Sequence, residues 1–231
     1  MRKVRLGELE AYVTGGADGE GGGDGPLVVL LHGFGAPGFD LVDLAQYVPG
    51  PQGLRWVFPE APLTLDGGPG RAWWMIDAAL FEQRMRGERV DRSDELPPRL
   101  PTARAELSSL LDAVERELGV PRGQQLLGGF SQGSMLAVDQ ALHAAEPPRG
   151  LILLSGTLIA ASEWAPRAEA VRGLPILQTH GKSDPILPYA DAERLRSLLE
   201  GGGAALTFVA FEGGHELPPA ALRALSTFLR A

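Results

Sequence analysis

A serine stands between two glycines in the segment Gly-Gly-Phe-Ser-Gln-Gly at residues 128–133. This is the G-x-S-x-G pattern, in which a strained turn from a strand into a helix presents the serine hydroxyl. Glycines are needed at Gly129 and Gly133 because side chains there would collide with the neighbouring strand and helix. The bare pattern is more often a plain loop, but here a buried-strand pattern precedes it and a small-residue helix follows. Ser131 is therefore the candidate nucleophile.

The hydroxyl of serine is a weak nucleophile and needs a base. The chain has four histidines, His32, His143, His180 and His215. His143 falls in the helix predicted after Ser131 and is interpreted as a surface residue, while His180 ends an apolar, strand-like run. His32 belongs to an element before Ser131. His215 lies in a glycine-flanked loop after the last predicted strand, and although isolated loop histidines are mostly surface residues, this position favours it as the base.

A base of this kind requires a group that orients it. Asp184 lies in a short loop just past a predicted strand and precedes a proline. The alternative is that it only forms a turn, which is what aspartate before proline ordinarily does. Asp139 and Asp191 are less suitable because both fall in predicted helices, where a carboxylate usually faces water. Asp184 would accept the imidazole N–H of His215 and stabilise the imidazolium formed when His215 takes the Ser131 proton.

Attack on an ester or thioester makes an oxyanion that fixed donors must meet. The backbone N–H of Gln132, at the start of the predicted helix, is one candidate donor and gains from the helix dipole. Residues 27–35 read as an apolar strand that ends in His-Gly-x-Gly. The backbone N–H of Phe34 is the second candidate donor. His32 is interpreted as a buried, hydrogen-bonded structural residue.

The stretch between a predicted strand at 54–58 and a predicted helix at 102–118 is too rich in proline and glycine to be one regular element. It is a candidate roof for the site, with an apolar inner face for an acyl chain. The candidate substrate contacts on that face are Trp73, Trp74 and Met75, with Phe81 nearby. The alternative is that one or both tryptophans only seal the core, since large aromatic side chains are mostly buried.

Hydrophobic periodicity predicts elements that would position these residues. An edge strand is expected over 4–13, and further strands near 27–32, 54–58, 125–129, 150–155, 174–180 and 204–211. Helices are expected near 38–48, 102–118, 132–145, 189–200 and 218–230. This alternation is typical of a mostly parallel sheet covered on both faces. Such sheets bind ligands at the carboxyl ends of their strands, where the candidate residues fall.

Composition narrows the classes of function. The 231 residues are consistent with one domain over 1–231. A formal net charge of −8 argues against a nucleic-acid partner. The absence of cysteine removes disulfides, thiolate metal sites and cysteine nucleophiles. No apolar signal core or membrane-length run is present, so a cytoplasmic protein without stable membrane insertion is expected.

Several motifs resemble one known family. They are Leu-His-Gly-Phe-Gly at 31–35, Phe-Pro-Glu-Ala-Pro at 58–62, Arg-Ala-Trp-Trp-Met-Ile-Asp at 71–77, Leu-Gly-Gly-Phe-Ser-Gln-Gly at 127–133, His-Gly-x-x-Asp-Pro-x-x-Pro at 180–188, and Gly-His at 214–215. In type and order they resemble the acyl-protein thioesterase and carboxylesterase family of α/β-hydrolases. The resemblance covers about residues 26–231. The chain departs from it at 73–77, where relatives often have Trp-Phe-Asp, and in the expanded stretch 80–101.

The resemblance implies the α/β-hydrolase fold, with a mostly parallel central sheet, helices on both faces and a minimal lid. It also implies a cofactor-free and metal-free serine hydrolase with Ser131, Asp184 and His215 as its triad. The predicted reaction is cleavage of carboxylic esters or acyl thioesters of short to medium chain length through an acyl-enzyme. The alternatives are a serine peptidase or other hydrolase on the same fold, or a non-catalytic binding protein. A small-molecule ester or acylated partner is expected, and a homodimer is left open.

Overall fold

The computed structural model of the chain describes residues 1–77, 86, 91 and 93–231. Within these residues, eight strands form one sheet in the order β1-β2-β4-β3-β7-β8-β9-β10, and β5 and β6 form a separate pair. The strands are β1 Arg2–Leu6, β2 Leu9–Gly15, β3 Leu27–Leu31, β4 Arg55–Pro59, β5 Leu63–Thr64, β6 Arg71–Ala72, β7 Gln125–Phe130, β8 Gly150–Leu154, β9 Pro175–Gly181 and β10 Ala205–Phe211. The pairs from β4 through β3 to β10 are parallel, which confirms the predicted mostly parallel sheet.

The first edge of the sheet differs from the prediction of one strand over residues 4–13. Two antiparallel strands, β1 and β2, turn at Gly7 and pair Leu6 with Leu9. Gly7 has φ 58°, and a Cβ atom there would lie 2.6 Å from the carbonyl carbon of Ser109. The turn therefore requires glycine because of a contact more than a hundred residues away, which the alternating pattern does not reveal.

The helices cover both faces of the sheet. They are α1 Leu44–Tyr47, α2 Leu100–Leu118, α3 Gln132–His143, α4 Ala161–Trp164, α5 Tyr189–Gly201 and α6 Pro219–Leu229. Helices α2, α3 and α5 pack on one face against residues such as Val29 and Leu153. Helix α6 packs on the other face with residues such as Leu30 and Ile152. Adjacent strand residues thus enter different cores, which explains why these strands are apolar throughout.

The predicted helix over 38–48 is largely wrong. Only Leu44–Tyr47 is helical. Ahead of it the chain makes successive three-residue turns, in which the Asp40 amide donates to Pro37 and the Val42 amide donates to Phe39. No helix of the described part of the chain is long and apolar enough to cross a membrane.

Asp139 contradicts the expectation that carboxylates in the predicted helices face water. Its side chain is fully buried in α3 and accepts hydrogen bonds from Trp164 Nε1 at 2.9 Å and from Arg104 at 3.1 Å. His143, expected at the surface, is half-buried, and its Nδ1 lies 2.8 Å from the Asp139 carbonyl oxygen. Burial raises the pKa of Asp139, while the hydrogen bond from Trp164 and the charge of Arg104 oppose that rise.

We predict that Asp139→Ala lowers the free energy of unfolding by about 3 kcal/mol, because it leaves the Arg104 charge and the buried Trp164 N–H without their acceptor. Chemical denaturation measures the change. Asp191→Ala is the matched control, since Asp191 lies on α5 and meets Arg194 only at 3.5 Å. Equal losses in the two variants would show that the Asp139 cluster adds no more than a surface pair.

Candidate active site

The carboxyl ends of four parallel strands bring the predicted site residues to one edge of the sheet. Phe34 follows β3, Ser131 follows β7, Asp184 follows β9 and His215 follows β10. Strand β3 pairs with β4 on one side and with β7 on the other, so the direction in which strands are added to the sheet reverses at β3. Open α/β sheets bind ligands at such a reversal.

Ser131 occupies a strained turn between β7 and α3. Its backbone has φ 54° and ψ −119°, outside the regions that most residues adopt. A Cβ atom on Gly129 would lie 2.4 Å from the carbonyl carbon of Gly133, and one on Gly133 would lie 2.3 Å from the Leu31 carbonyl oxygen. The two glycines therefore allow helix α3 to begin in direct contact with the strands, as the G-x-S-x-G pattern predicts.

His215 and Asp184 meet at hydrogen-bond distance. His215 Nδ1 lies 2.7 Å from Asp184 Oδ2, and the imidazole ring packs against Phe130 with ring centroids 4.8 Å apart. Asp184 Oδ1 accepts the backbone N–H groups of Ile186 and Leu187 at 2.9 and 2.8 Å. Burial raises the pKa of Asp184, but the hydrogen bond from His215 and those two amides outweigh burial and leave it below its usual value. The carboxylate is thus held ionised beside the imidazole.

His180 supports the loop that carries Asp184. It is fully buried at the end of β9, as its strand-end position predicts. Its Nε2–H donates to the Leu187 carbonyl oxygen at 2.8 Å, and the same nitrogen lies 3.4 Å from Asp184 Oδ2. Burial lowers the pKa of His180, although the hydrogen bond to Leu187 and the charge of Asp184 act in the opposite direction. The imidazole is therefore kept neutral.

We predict that the protein loses stability as the pH falls from about 7 to about 5.5. The unfolded chain protonates His180 near its ordinary pKa of about 6.5, whereas the folded protein resists protonation, so the unfolded state binds more protons in this range. Thermal melts at several pH values measure the effect. His180→Gln keeps a side-chain N–H donor and cannot titrate, so its melting temperature should depend less on pH. Parallel curves for the two proteins would contradict the assignment.

The candidate oxyanion donors lie beside Ser131. Gly33, Phe34 and Gln132 line the same cavity as Ser131 and His215. Among the described residues, neither the Phe34 amide nor the Gln132 amide donates to a backbone carbonyl. Without such an acceptor, the two amides meet a requirement for the oxyanion donors that the sequence predicts.

His32 is a buried, hydrogen-bonded residue, as the sequence predicts. It is buried, and its Nε2 accepts the Ala61 amide at 3.1 Å. Its Nδ1–H consequently donates to the Gly33 carbonyl oxygen at 2.8 Å.

The cavity has a volume of about 240 Å³ and largely apolar walls. Trp74 and Met75, two of the candidate substrate contacts, line it together with Met135, Ile159, Ile186 and Leu187. Trp73 does not agree with its predicted substrate contact, because its side chain is fully buried and is not among the lining residues. Its indole N–H instead donates to the His32 carbonyl oxygen at 3.0 Å. Phe81 lies outside the described residues.

Comparison with known proteins places the chain among hydrolases. Residues 22–231 match the sequence model of the phospholipase/carboxylesterase family. The chain belongs to this family. Acyl-protein thioesterase 1 of Schizosaccharomyces pombe is 31% identical over 166 residues, which cover 70% of this chain and 69% of that protein. Acyl-protein thioesterase 1 of Neurospora crassa is 27% identical over 212 residues, covering 87% and 84% respectively.

Solved structures of esterases share the fold of this phospholipase/carboxylesterase family member. The crystal structure of esterase PE8 has a TM-score of 0.80 at 27% identity and covers 96% of this chain and 97% of its own. Acyl-protein thioesterase 2 of Zea mays has a TM-score of 0.72 at 22% identity, covering 95% and 96%, a likeness of fold alone. The chain is thus a hydrolase with the α/β-hydrolase fold, as the sequence motifs predict.

Proposed function

We propose that the protein is a serine hydrolase that cleaves carboxylic esters or acyl thioesters of short to medium chain length. The observation that carries the proposal is the 2.7 Å hydrogen bond between His215 Nδ1 and Asp184 Oδ2, with His215 and Ser131 on the wall of one apolar cavity. The names of the relatives, acyl-protein thioesterase and esterase, support the same class of substrate.

In the proposed mechanism Ser131 Oγ attacks the acyl carbonyl carbon while His215 Nε2 takes the hydroxyl proton. Asp184 holds the tautomer of His215 and stabilises the imidazolium. The amides of Phe34 and Gln132 bind the oxyanion. As the tetrahedral intermediate collapses, the bond to the alcohol or thiol breaks and the leaving group takes the proton from His215. Water then attacks the acyl-enzyme by the same route, releases the carboxylic acid and restores the Ser131 hydroxyl.

We predict that Ser131→Ala folds normally but loses acyl-enzyme formation, with turnover of a short p-nitrophenyl ester falling on the order of ten-thousandfold. Labelling by a fluorophosphonate probe, with mass spectrometry of the labelled peptide, locates the nucleophile. Ser197→Ala is the control, because Ser197 is exposed on helix α5 and its hydroxyl donates to the Glu193 carbonyl oxygen.

Near-normal turnover by folded Ser131→Ala would overturn the mechanism. Fluorophosphonate labelling without turnover of any ester or thioester would favour a peptidase. Neither labelling nor turnover would favour a binding protein on this fold.

We predict that Trp74 limits the length of the acyl chain. Each methylene buried in an apolar cavity contributes about 0.8 kcal/mol, so kcat/KM should rise with chain length until the cavity is full and then fall. Trp74→Leu enlarges the cavity and should move the optimum to longer chains. The assay pairs esters with thioesters of equal length, which also measures the preference between them.

Thermal melts must accompany this assay, because Trp74 is 5% exposed and its truncation costs stability. An unchanged chain-length profile in stable Trp74→Leu would assign Trp74 to structure alone.

Three expectations from the sequence stay predictions. They are the single domain, the cytoplasmic location and the homodimer that the sequence leaves open.

A further inference from the structure

A chain of hydrogen bonds connects the two segments that carry the candidate oxyanion donors. The indole N–H of Trp73 donates to the His32 carbonyl oxygen at 3.0 Å, two residues before Phe34. The backbone N–H of the same Trp73 donates to Gln132 Oε1 at 2.9 Å, and Gln132 directly follows Ser131. One residue is therefore bonded to both sides of the candidate oxyanion hole, through its side chain to one side and through its backbone to the other.

The groups in this chain are shielded from water. Trp73 is 0% exposed, His32 is 1% exposed and Gln132 is 2% exposed. Gln132 Nε2 also donates to the Trp74 carbonyl oxygen at 2.8 Å, so the side-chain amide is bonded at both ends and cannot be reversed without losing both bonds. Buried hydrogen bonds of this kind hold a fixed geometry, because water cannot replace a lost partner.

The donors need such a connection because the sheet does not extend to them. Strands β3 and β7 pair in parallel only as far as Leu31 and Gly129. Phe34 and Gln132 lie three residues beyond that last pair, where the chain turns into a loop on one side and a helix on the other. Stabilisation of an oxyanion requires donors that are already at the correct separation before the charge develops.

We propose that Trp73 and Gln132 are positioning residues that set the separation between the amides of Phe34 and Gln132. The inference rests on the proposed function, since it assumes that these amides bind an oxyanion formed on Ser131. It also gives Trp73 a role other than the substrate contact expected from the sequence.

Trp73→Phe tests the proposal because phenylalanine keeps a buried aromatic ring and removes only the indole part with its N–H. We expect kcat for a short ester to fall about tenfold, with KM little changed, since a small displacement of one donor loses part of its transition-state stabilisation. Gln132→Met is the second variant. It has a similar shape, loses both side-chain bonds, retains the backbone N–H and should change kcat in the same direction.

Two inhibitors separate positioning from general damage. A trifluoromethyl ketone adds to Ser131 as a hemiketal whose oxyanion uses the same donors, so its affinity should weaken about as much as kcat. The corresponding methyl ketone, which occupies the cavity without readily forming the oxyanion, should keep its affinity.

Trp164→Phe is the matched control. Trp164 is also fully buried, and its indole N–H donates to Asp139, a residue of α3 that does not line the cavity. This variant should lose stability in thermal melts but keep kcat and trifluoromethyl ketone affinity.

The proposal is overturned if folded Trp73→Phe and Gln132→Met keep wild-type kcat and trifluoromethyl ketone affinity, or if Trp164→Phe loses both equally. A different result is expected if the proposed hydrolase function itself is wrong. In that case the wild-type protein is neither labelled by a fluorophosphonate nor inhibited by the trifluoromethyl ketone, and the inference falls with it.

Discussion

The close approach of helix α3 to strands β3 and β7 determines most of the site. Side chains at Gly129 and Gly133 would overlap backbone atoms, so the helix begins in contact with the strands. Gly33 is less confined, although its Cβ would lie only 3.3 Å from the Ser131 Cβ. Ser131, between these glycines, adopts a positive φ of 54°. This strain is maintained because the parallel ladder and the helix fix the chain on both sides of the serine.

Burial raises the pKa of two aspartates, but their net shifts are opposite, and the comparison explains their different roles. Asp184 is buried, but His215 and two backbone amides donate to it, and its pKa falls. Asp139 is also buried, and the donors from Trp164 and Arg104 do not offset the cost of burial, so its pKa rises. The balance between burial and the donors to each carboxylate therefore decides the direction in which its pKa moves. Only the Asp184 arrangement suits a group that must hold an imidazolium.

The sequence predicts those parts of the structure that depend on local patterns. The glycines around Ser131, the parallel strands and the loops that carry Asp184 and His215 follow from short motifs and periodicity. Features that depend on distant contacts are not predicted. The backbone of Ser109 is what requires glycine at position 7, and the burial of Asp139 depends on Arg104 and Trp164.

Trp73 and Trp74 illustrate this limit at the candidate site. They are neighbours of the same residue type, and the sequence names both as candidate substrate contacts while leaving open that one or both seal the core. One nevertheless lies in the core and the other in the cavity wall. Adjacent residues can point in different directions, and only the surrounding fold decides which of them reaches the cavity. A missed signal was available in Gln132, since the amide of a glutamine that is buried beside a nucleophile needs hydrogen-bond partners.

The walls of the cavity and the candidate catalytic groups share backbone segments. Leu187 lines the cavity, while its amide donates to Asp184 and its carbonyl accepts from His180. Trp74 also lines the cavity, while its carbonyl accepts from Gln132, whose own amide is a candidate oxyanion donor. An acyl chain that fills the cavity therefore presses on the segments that hold the orienting carboxylate and the oxyanion donors. Binding energy from the chain can then be used in the transition state, so we expect chain length to change kcat as well as KM.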